Sequence, residues 1–232
     1  MGSGGEAELT VLRVFCTSDG SGGNPLGVFL DGSQVPEAAR QAVAAELGYS
    51  ETVFVDDVER AELRIFTPEV ELPLAGHPLV GCAWLLRERG HEPTVLRPPA
   101  GETPVAFDRE LVRITADPEW GPPFRFVQVD APADVEALTG PPDGYSEVGV
   151  WAWLDEAAGT IRERVFVAEL GVAEDEATGS AALRLTRQLG REIDIRQGAG
   201  SLLHARPVDG GLAQVSGRVV LDETRPYSLP ER

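Results

Sequence analysis

Cysteine is nearly missing from this 232-residue chain, which has only Cys16 and Cys82. The two show neither metal-ligand spacing nor a partner cluster. That excludes a disulfide-built scaffold and fits a reduced, cytoplasmic protein. Of three histidines, His91 and His204 stand alone, with no ligand pattern for zinc, so no metal is expected. Basic residues are also in deficit: 20 Lys and Arg face 38 Asp and Glu, a formal net charge of −18. Such a field repels phosphates, so neither nucleic acid nor an anionic membrane surface is expected as a partner. It does not predict a cationic substrate, because a local site can oppose the global field. No apolar run is long enough to cross a bilayer, and no signal peptide is recognisable. No G-x-G-x-x-G stands between a strand and a helix, so no dinucleotide unit is expected. Residues 1–8, MGSGGEAE, are polar and expected to fray.

The rest of the chain is well supplied for a core. Hydrophobic residues make up 42%, enough for one large domain or two small ones. Plentiful Gly and Pro divide it into short apolar runs that read as strands and turns. Strand-like segments at 9–15 and 24–32 precede a helix over 36–48, with Pro36 in its first turn and Gly48 at its end. Strands follow at 50–55 and 61–67. Residues 77–90, HPLVGCAWLLRERG, then read as a helix with no polar side chain from Leu79 to Leu86. A surface helix would show a polar stripe, so this one is expected to be enclosed on all sides by the surrounding strands. Cys82 inside it, and Cys16 at the end of the first strand, read as core packing.

Further strands occupy 94–97, 104–108 and 111–116, and DPEWGPP (117–123) looks like a crossing between domains. A strand over 124–130 follows. A hairpin over 149–170 turns near Ala158 and Gly159, with Trp151 and Trp153 sharing one strand face as core or interface rather than as a stacking platform. A helix over 178–190 and strands at 192–198, 202–208 and beyond complete the chain. Each half has strands, a helix entered through a small-residue turn, then more strands, a duplication of layout more than of identity.

The two turns, LAGHPLVG (74–81) and EDEATGSAA (174–182), each put a glycine just before a helix. Helix N-termini carry unpaired N–H groups and partial positive charge, and glycine lets a ligand approach the backbone. Two such termini facing one cleft could hold an anionic or strongly polar substrate. Plainer roles stay open: His77 as an ordinary helix-entry residue, Asp175 as a solvated loop acid, Thr178 or Ser180 as a cap. In GYSETVFV (48–55), strand alternation puts Tyr49, Glu51, Val53 and Val55 on one face and Ser50, Thr52 and Phe54 on the other. A carboxylate thus shares a face with valines, either because Glu51 begins the strand in water or because it is held there for chemistry.

Five stretches together carry a resemblance: GNPLGVFLDG (23–32), LGYSETVFV (47–55), LRIFTPEVELPLAGHPLVGCAWLL (63–86), EDEATGSAA (174–182) and IRQGAGS (195–201). They resemble, in order, the phenazine-biosynthesis isomerase-like (PhzF-like) proteins of the diaminopimelate-epimerase-like superfold. The resemblance implies an α+β fold of two similar halves, each a mostly antiparallel strand barrel around a central helix, with the active site between them. The halves would be residues 1–117 with a C-terminal strand at about 217–232, and residues 118–216. The second half is expected to be shortened, because a strand segment with a Gly-then-His-Leu pattern is missing before GVWAW. Family members are typically cofactor-free homodimers, so no cofactor and a homodimer are implied.

By motif, Glu51 matches the family's proton-shuttling glutamate, His77 its active-site histidine and Asp175 an aspartate that meets the substrate's polar or amino group. Gly76, Gly179 and Ser180 would contribute backbone and hydroxyl bonds at the helix starts, while Asn24 holds the loop and is left out of the site. A partly desolvated carboxylate has a raised pKa and can take a proton and return it. Racemases of the superfold use two thiols at these turns; neither turn here has cysteine, which disfavours a two-thiol racemase. The expected function is a cofactor-independent small-molecule isomerase that moves a proton within a cyclic or conjugated acid. The family's named reaction, on trans-2,3-dihydro-3-hydroxyanthranilate, is one candidate. The alternative is a binding protein that keeps the cleft without turnover.

Overall fold

The computed structural model describes residues 5–229. Its first half runs β1 (Glu6–Cys16), β2 (Asn24–Phe29), α1 (Glu37–Leu47), β3 (Glu51–Asp57), β4 (Glu62–Phe66), β5 (Glu71–Leu72), α2 (Gly76–Glu88), β6 (Val95–Leu96), β7 (Thr103–Asp108) and β8 (Leu111–Ala116). The second runs β9 (Arg125–Gln128), α3 (Pro132–Glu136), β10 (Glu147–Asp155), β11 (Thr160–Val167), β12 (Val172–Asp175), α4 (Gly179–Leu189), β13 (Ile193–Gln197), β14 (Ser201–Pro207) and β15 (Ala213–Ser228). The fold is α+β, with one sheet carried through both halves in the order β5-β4-β3-β2-β1-β15-β14-β13-β11-β10-β9. Strand β15 is shared. Residues 213–216 pair with β14, 213–218 with β8 and 218–228 with β1. The expectation of a frayed N-terminus fails for Glu6–Glu8, which pair with Pro226–Ser228. Residues 1–4 and 230–232 lie outside the described residues.

The apolar run of α2 is enclosed as its composition demands. From Gly76 to Leu86 only Trp84 is not buried, and β1, β2, β3, β8 and β15 pack around it. A Cβ at Gly81 would come within 2.5 Å of a Leu26 methyl, so this helix lies close against β2. Helix α4 is different. Gly179–Leu183, Leu185 and Thr186 are buried against β14 and β15, while Arg187 and Gln188 stand in solvent. Arg184 and Arg187 reach Glu119 and Asp117 of the crossing segment, which covers part of this helix.

The halves repeat in register as well as in layout. β2 lies parallel to β3, and β9 lies parallel to β10. Thr52 faces Phe66 across β3 and β4, and Val148 faces Phe166 across β10 and β11. Ile65 faces Leu72, and Val165 faces Asp175. Matching these pairs puts Glu51 on Glu147, Arg64 on Arg164 and Leu72 on Asp175. The tetrapeptide Gly-Tyr-Ser-Glu then recurs at 48–51 and 144–147. Each half also builds the same clamp. Arg64 makes two 2.6 Å bonds to Glu71 and lies 5.4 Å from the Phe66 ring. Arg164 bonds Glu174 at 2.7 and 2.6 Å and lies 5.3 Å from the Phe166 ring.

Candidate active site

The starts of α2 and α4 meet back to back. A Cβ at Gly76 would come within 2.6 Å of the Gly179 backbone, and one at Gly179 within 2.8 Å of Gly76 Cα. Only glycine permits this approach. Neither helix start has a side-chain cap, so part of its N–H array stays unpaired by side chains. Thr178 occupies the N-cap position of α4, but its hydroxyl donates instead to Asp175 Oδ2 at 2.6 Å.

Glu51 enters this junction from the first residue of β3. It is buried on the face that carries Val53 and Val55 into the main core, whereas Phe54 joins the cluster under α1. Burial, not exposure in water, therefore accounts for the carboxylate beside the valines. Strand alternation begins only at Glu51. Tyr49, just past the left-handed Gly48 at φ 67°, packs with the outer cluster rather than with Glu51. Ser50 turns into the site. Its hydroxyl lies 2.9 Å from Asp175 Oδ1 and 3.1 Å from Asn24 Oδ1.

His77, the second residue of α2, has Nδ1 3.2 Å from Glu51 Oε2. The approach would suit an ion pair, but burial drives both groups neutral. It pushes His77 down to about 3, opposed only by a bond to the Pro25 carbonyl. Glu51 is held well above the usual carboxylate range by burial and by the charge of Asp175. Glu51 Oε2 and His77 Nε2 are buried without a hydrogen-bond partner.

Asp175, at the end of β12, is also raised by burial, but three donors oppose the shift. Thr178 serves Oδ2, while the Ser50 hydroxyl and the Asn24 amide, at 2.7 Å, serve Oδ1. Gln197 on β13 holds the whole turn. Its amide donates to Asp175 O (2.9 Å) and Thr178 Oγ1 (2.8 Å) and accepts from Thr178 N (3.0 Å). Asn24, assigned above to loop architecture alone, thus also touches the buried acid. Ser50, Thr178 and Gln197 were not singled out from the sequence as partners of Asp175. Their common signal is a polar side chain beside a motif glycine or glutamate, too frequent to act on without coordinates.

Ser50, Glu51, Asp175, Thr178 and Ser180 line a small cavity with Thr67, Leu72 and Phe124 among its walls, with room of only about 10 Å³. Gly76, His77 and Gly179 are not among its lining residues. A larger, open groove lined by Arg109, Arg196, His204 and Arg218 contains none of these groups. The small cavity suits chemistry better, because it excludes water from two carboxyls. Among the described residues, no group of three or more His, Cys, Asp or Glu side chains is placed to hold a metal.

A family model described as phenazine biosynthesis-like protein matches residues 12–133. The chain is 31% identical to the trans-2,3-dihydro-3-hydroxyanthranilate isomerase of Pseudomonas aeruginosa. That alignment takes in 88% of this chain and 94% of that protein. It runs over 264 positions, more than the chain's own length, so it contains gaps on this side. A phenazine biosynthesis protein of the PhzF family from Bacillus anthracis superposes with a TM-score of 0.79 at 19% identity, covering 96% of this chain and 99% of that one. A predicted epimerase from Pseudomonas aeruginosa gives 0.76 at 25% identity, covering 95% and 99%.

Proposed function

Because the chain belongs to the PhzF (phenazine biosynthesis-like) family and is an isomerase of it, we propose that it moves a proton between two carbons of a small cyclic or conjugated acid, with Glu51 as the group that takes the proton and returns it. The observation that carries this reading is a buried Glu51 carboxyl without a hydrogen-bond donor, lining a narrow cavity beside a second acid that has three. The cavity as it stands has room of only about 10 Å³, far below the ~300–1,000 Å³ of ligand sites, so a substrate must widen it on entry.

The two acids titrate as a coupled pair. Donors favour the charged form of Asp175, and nothing does so for Glu51, so in the empty site Asp175 carries the charge and Glu51 the proton. A substrate amino or other donor group set against Asp175 offsets that charge. The repulsion that raises Glu51 then weakens, and Glu51 releases its proton to water as the substrate arrives and is left as a base. It removes a proton from one carbon and, now an acid, delivers it to another. Negative charge developing on the substrate is stabilised by the partial positive charge at the start of α4, where Thr178 and Ser180 line the cavity. His77 stays neutral beside Glu51 and lies off the cavity lining, so its unpartnered Nε2 meets a polar substituent only once the site has widened. The chain's own groups suffice for every step, so the reading needs no cofactor.

Incubation with trans-2,3-dihydro-3-hydroxyanthranilate and related unsaturated ring acids in heavy water tests this. Wild type is expected to place deuterium on carbon, and Glu51→Gln to lower the rate by roughly 10²–10⁴-fold while substrate still binds. Tight binding by wild type with no exchange would favour a non-catalytic binding protein instead.

A further inference from the structure

Glu163 lies on β11 in the interior of the second half, fully buried, and neither carboxyl oxygen has a hydrogen-bond partner. Native interiors rarely leave such a group alone. The fold does not demand an acid here. The Arg64–Arg164 and Phe66–Phe166 correspondence puts Leu63 at the same place in the first half, where it is ordinary core. Space for the carboxyl is provided on one side by Gly149 of β10, where a Cβ would approach Glu163 Oε1 to 2.5 Å. On the other side, Gln197 of β13 stands beside Glu163 in the parallel register and is equally buried. Gln197 is the amide that holds Thr178 and the Asp175 carbonyl. One amide and one hydroxyl thus connect the neighbour of Glu163 to the Asp175 carboxyl.

Few charges act on Glu163. On its own strand Arg162 opposes the effect of burial, but its guanidinium is engaged by Glu136 and by backbone carbonyls. Arg164 is paired with Glu174. Trp151 of β10 and Gln197 of β13, its register partners, do not titrate, and the buried residues of α4 are Gly, Ser, Ala, Leu and Thr. Burial pushes the Glu163 carboxyl up to about 8, so it is uncharged at neutral pH.

We propose that Glu163 is a positioning residue for the cleft: uncharged, it backs Gln197 and seats the Gln197–Thr178–Asp175 chain, and on ionising it displaces that chain. The role of Asp175 rests on the reading given above, so one test avoids turnover. The side-chain amide of Gln197 is followed by NMR from pH 6 to 9.5 in the full chain without ligand. In wild type its resonances are expected to shift through the ionisation of Glu163, and in Glu163→Gln to stay still. Activity with trans-2,3-dihydro-3-hydroxyanthranilate is the second test. Wild type is expected to lose at least threefold of its maximal rate by pH 9, and Glu163→Gln less than 1.5-fold. Glu163→Leu, which copies the first half, is expected to fold at least as stably yet turn over several-fold more slowly.

Gln197 resonances that titrate identically in wild type and Glu163→Gln overturn the proposal. So does an unchanged alkaline limb, or a leucine variant with wild-type kcat at every pH. If the NMR result holds while wild type does not act on the compound, the proposal stands and only the substrate reading fails.

Discussion

Asp175 and Glu51 are both buried acids, and the donors around the first decide which of them ionises first. Asp175→Asn keeps the shape and removes the charge that helps hold Glu51 protonated. Glu51 is therefore expected to ionise at lower pH, which would be seen as a shift of the acid limb of the rate profile. The substrate KM is expected to rise roughly 10- to 100-fold, the value of a hydrogen bond to a charged group. His77 titrates in the opposite sense to the acids. Its folded pKa of about 3 lies below the unfolded value of 6.5, so the unfolded chain binds the proton first. Stability is then lost as pH falls from about 6.5 towards 3, and His77→Asn should flatten that slope in thermal melts. Glu51, His77 and Asp175 stood out in the sequence through their match to the resembling stretches, and the fold sets His77 against Glu51 and lines one cavity with Glu51 and Asp175. Asn24 and Ser50 were harder to read. Their bonds to Asp175 span 151 and 125 residues, and no local pattern records such a meeting. Glu163 carried the same signal as Glu51, since alternation in TIRERVFV sets it with Ile161, Val165 and Val167 and opposite Arg162 and Arg164, but between two arginines it passed for an ordinary surface acid.

The elements most legible in advance were those whose periodicity outlasts the noise. The enclosed α2, with its eight-residue apolar run, is the clearest case. The two central helices should respond differently to truncation. Leu79→Ala, at a fully buried position in α2, is expected to cost about 2–5 kcal/mol, and Arg187→Ala on the exposed stripe of α4 less than about 0.5 kcal/mol, by urea denaturation. Gly179→Ala tests the junction itself. Its methyl must displace the start of α2, so a loss of roughly 3 kcal/mol or more is expected, with the exchange reaction falling further than stability does. The five-residue α3 and the two-residue β5 escaped sequence reading, because elements that short contain less than one useful period, although the equally short β6 falls within the strand expected at 94–97. Tertiary contacts define them instead: α3 packs on β10 and β11, as α1 packs on β3 and β4.

At the scale of the whole molecule, a duplicated plan has been put to unequal use. The register that matches Glu51 to Glu147 also matches Asp175 to Leu72, so each half contributes a different acid to one cavity. The layout of that duplication was visible in the sequence. Its true offset was not, because the repeated tetrapeptide is too short to stand out from chance without the strand pairing.

Both halves also depend on β15, whose Thr224 lies 214 residues from its neighbour Thr10 on β1. A ribosome making roughly 5–20 residues per second leaves about 10–40 s between the two. During that interval β1 lacks its partner on one side, and its unpaired backbone N–H and C=O groups are open to other nascent chains. The hazard of this fold is therefore greatest while it is being translated, and slowing elongation should lower its soluble yield before it alters the stability of any finished molecule.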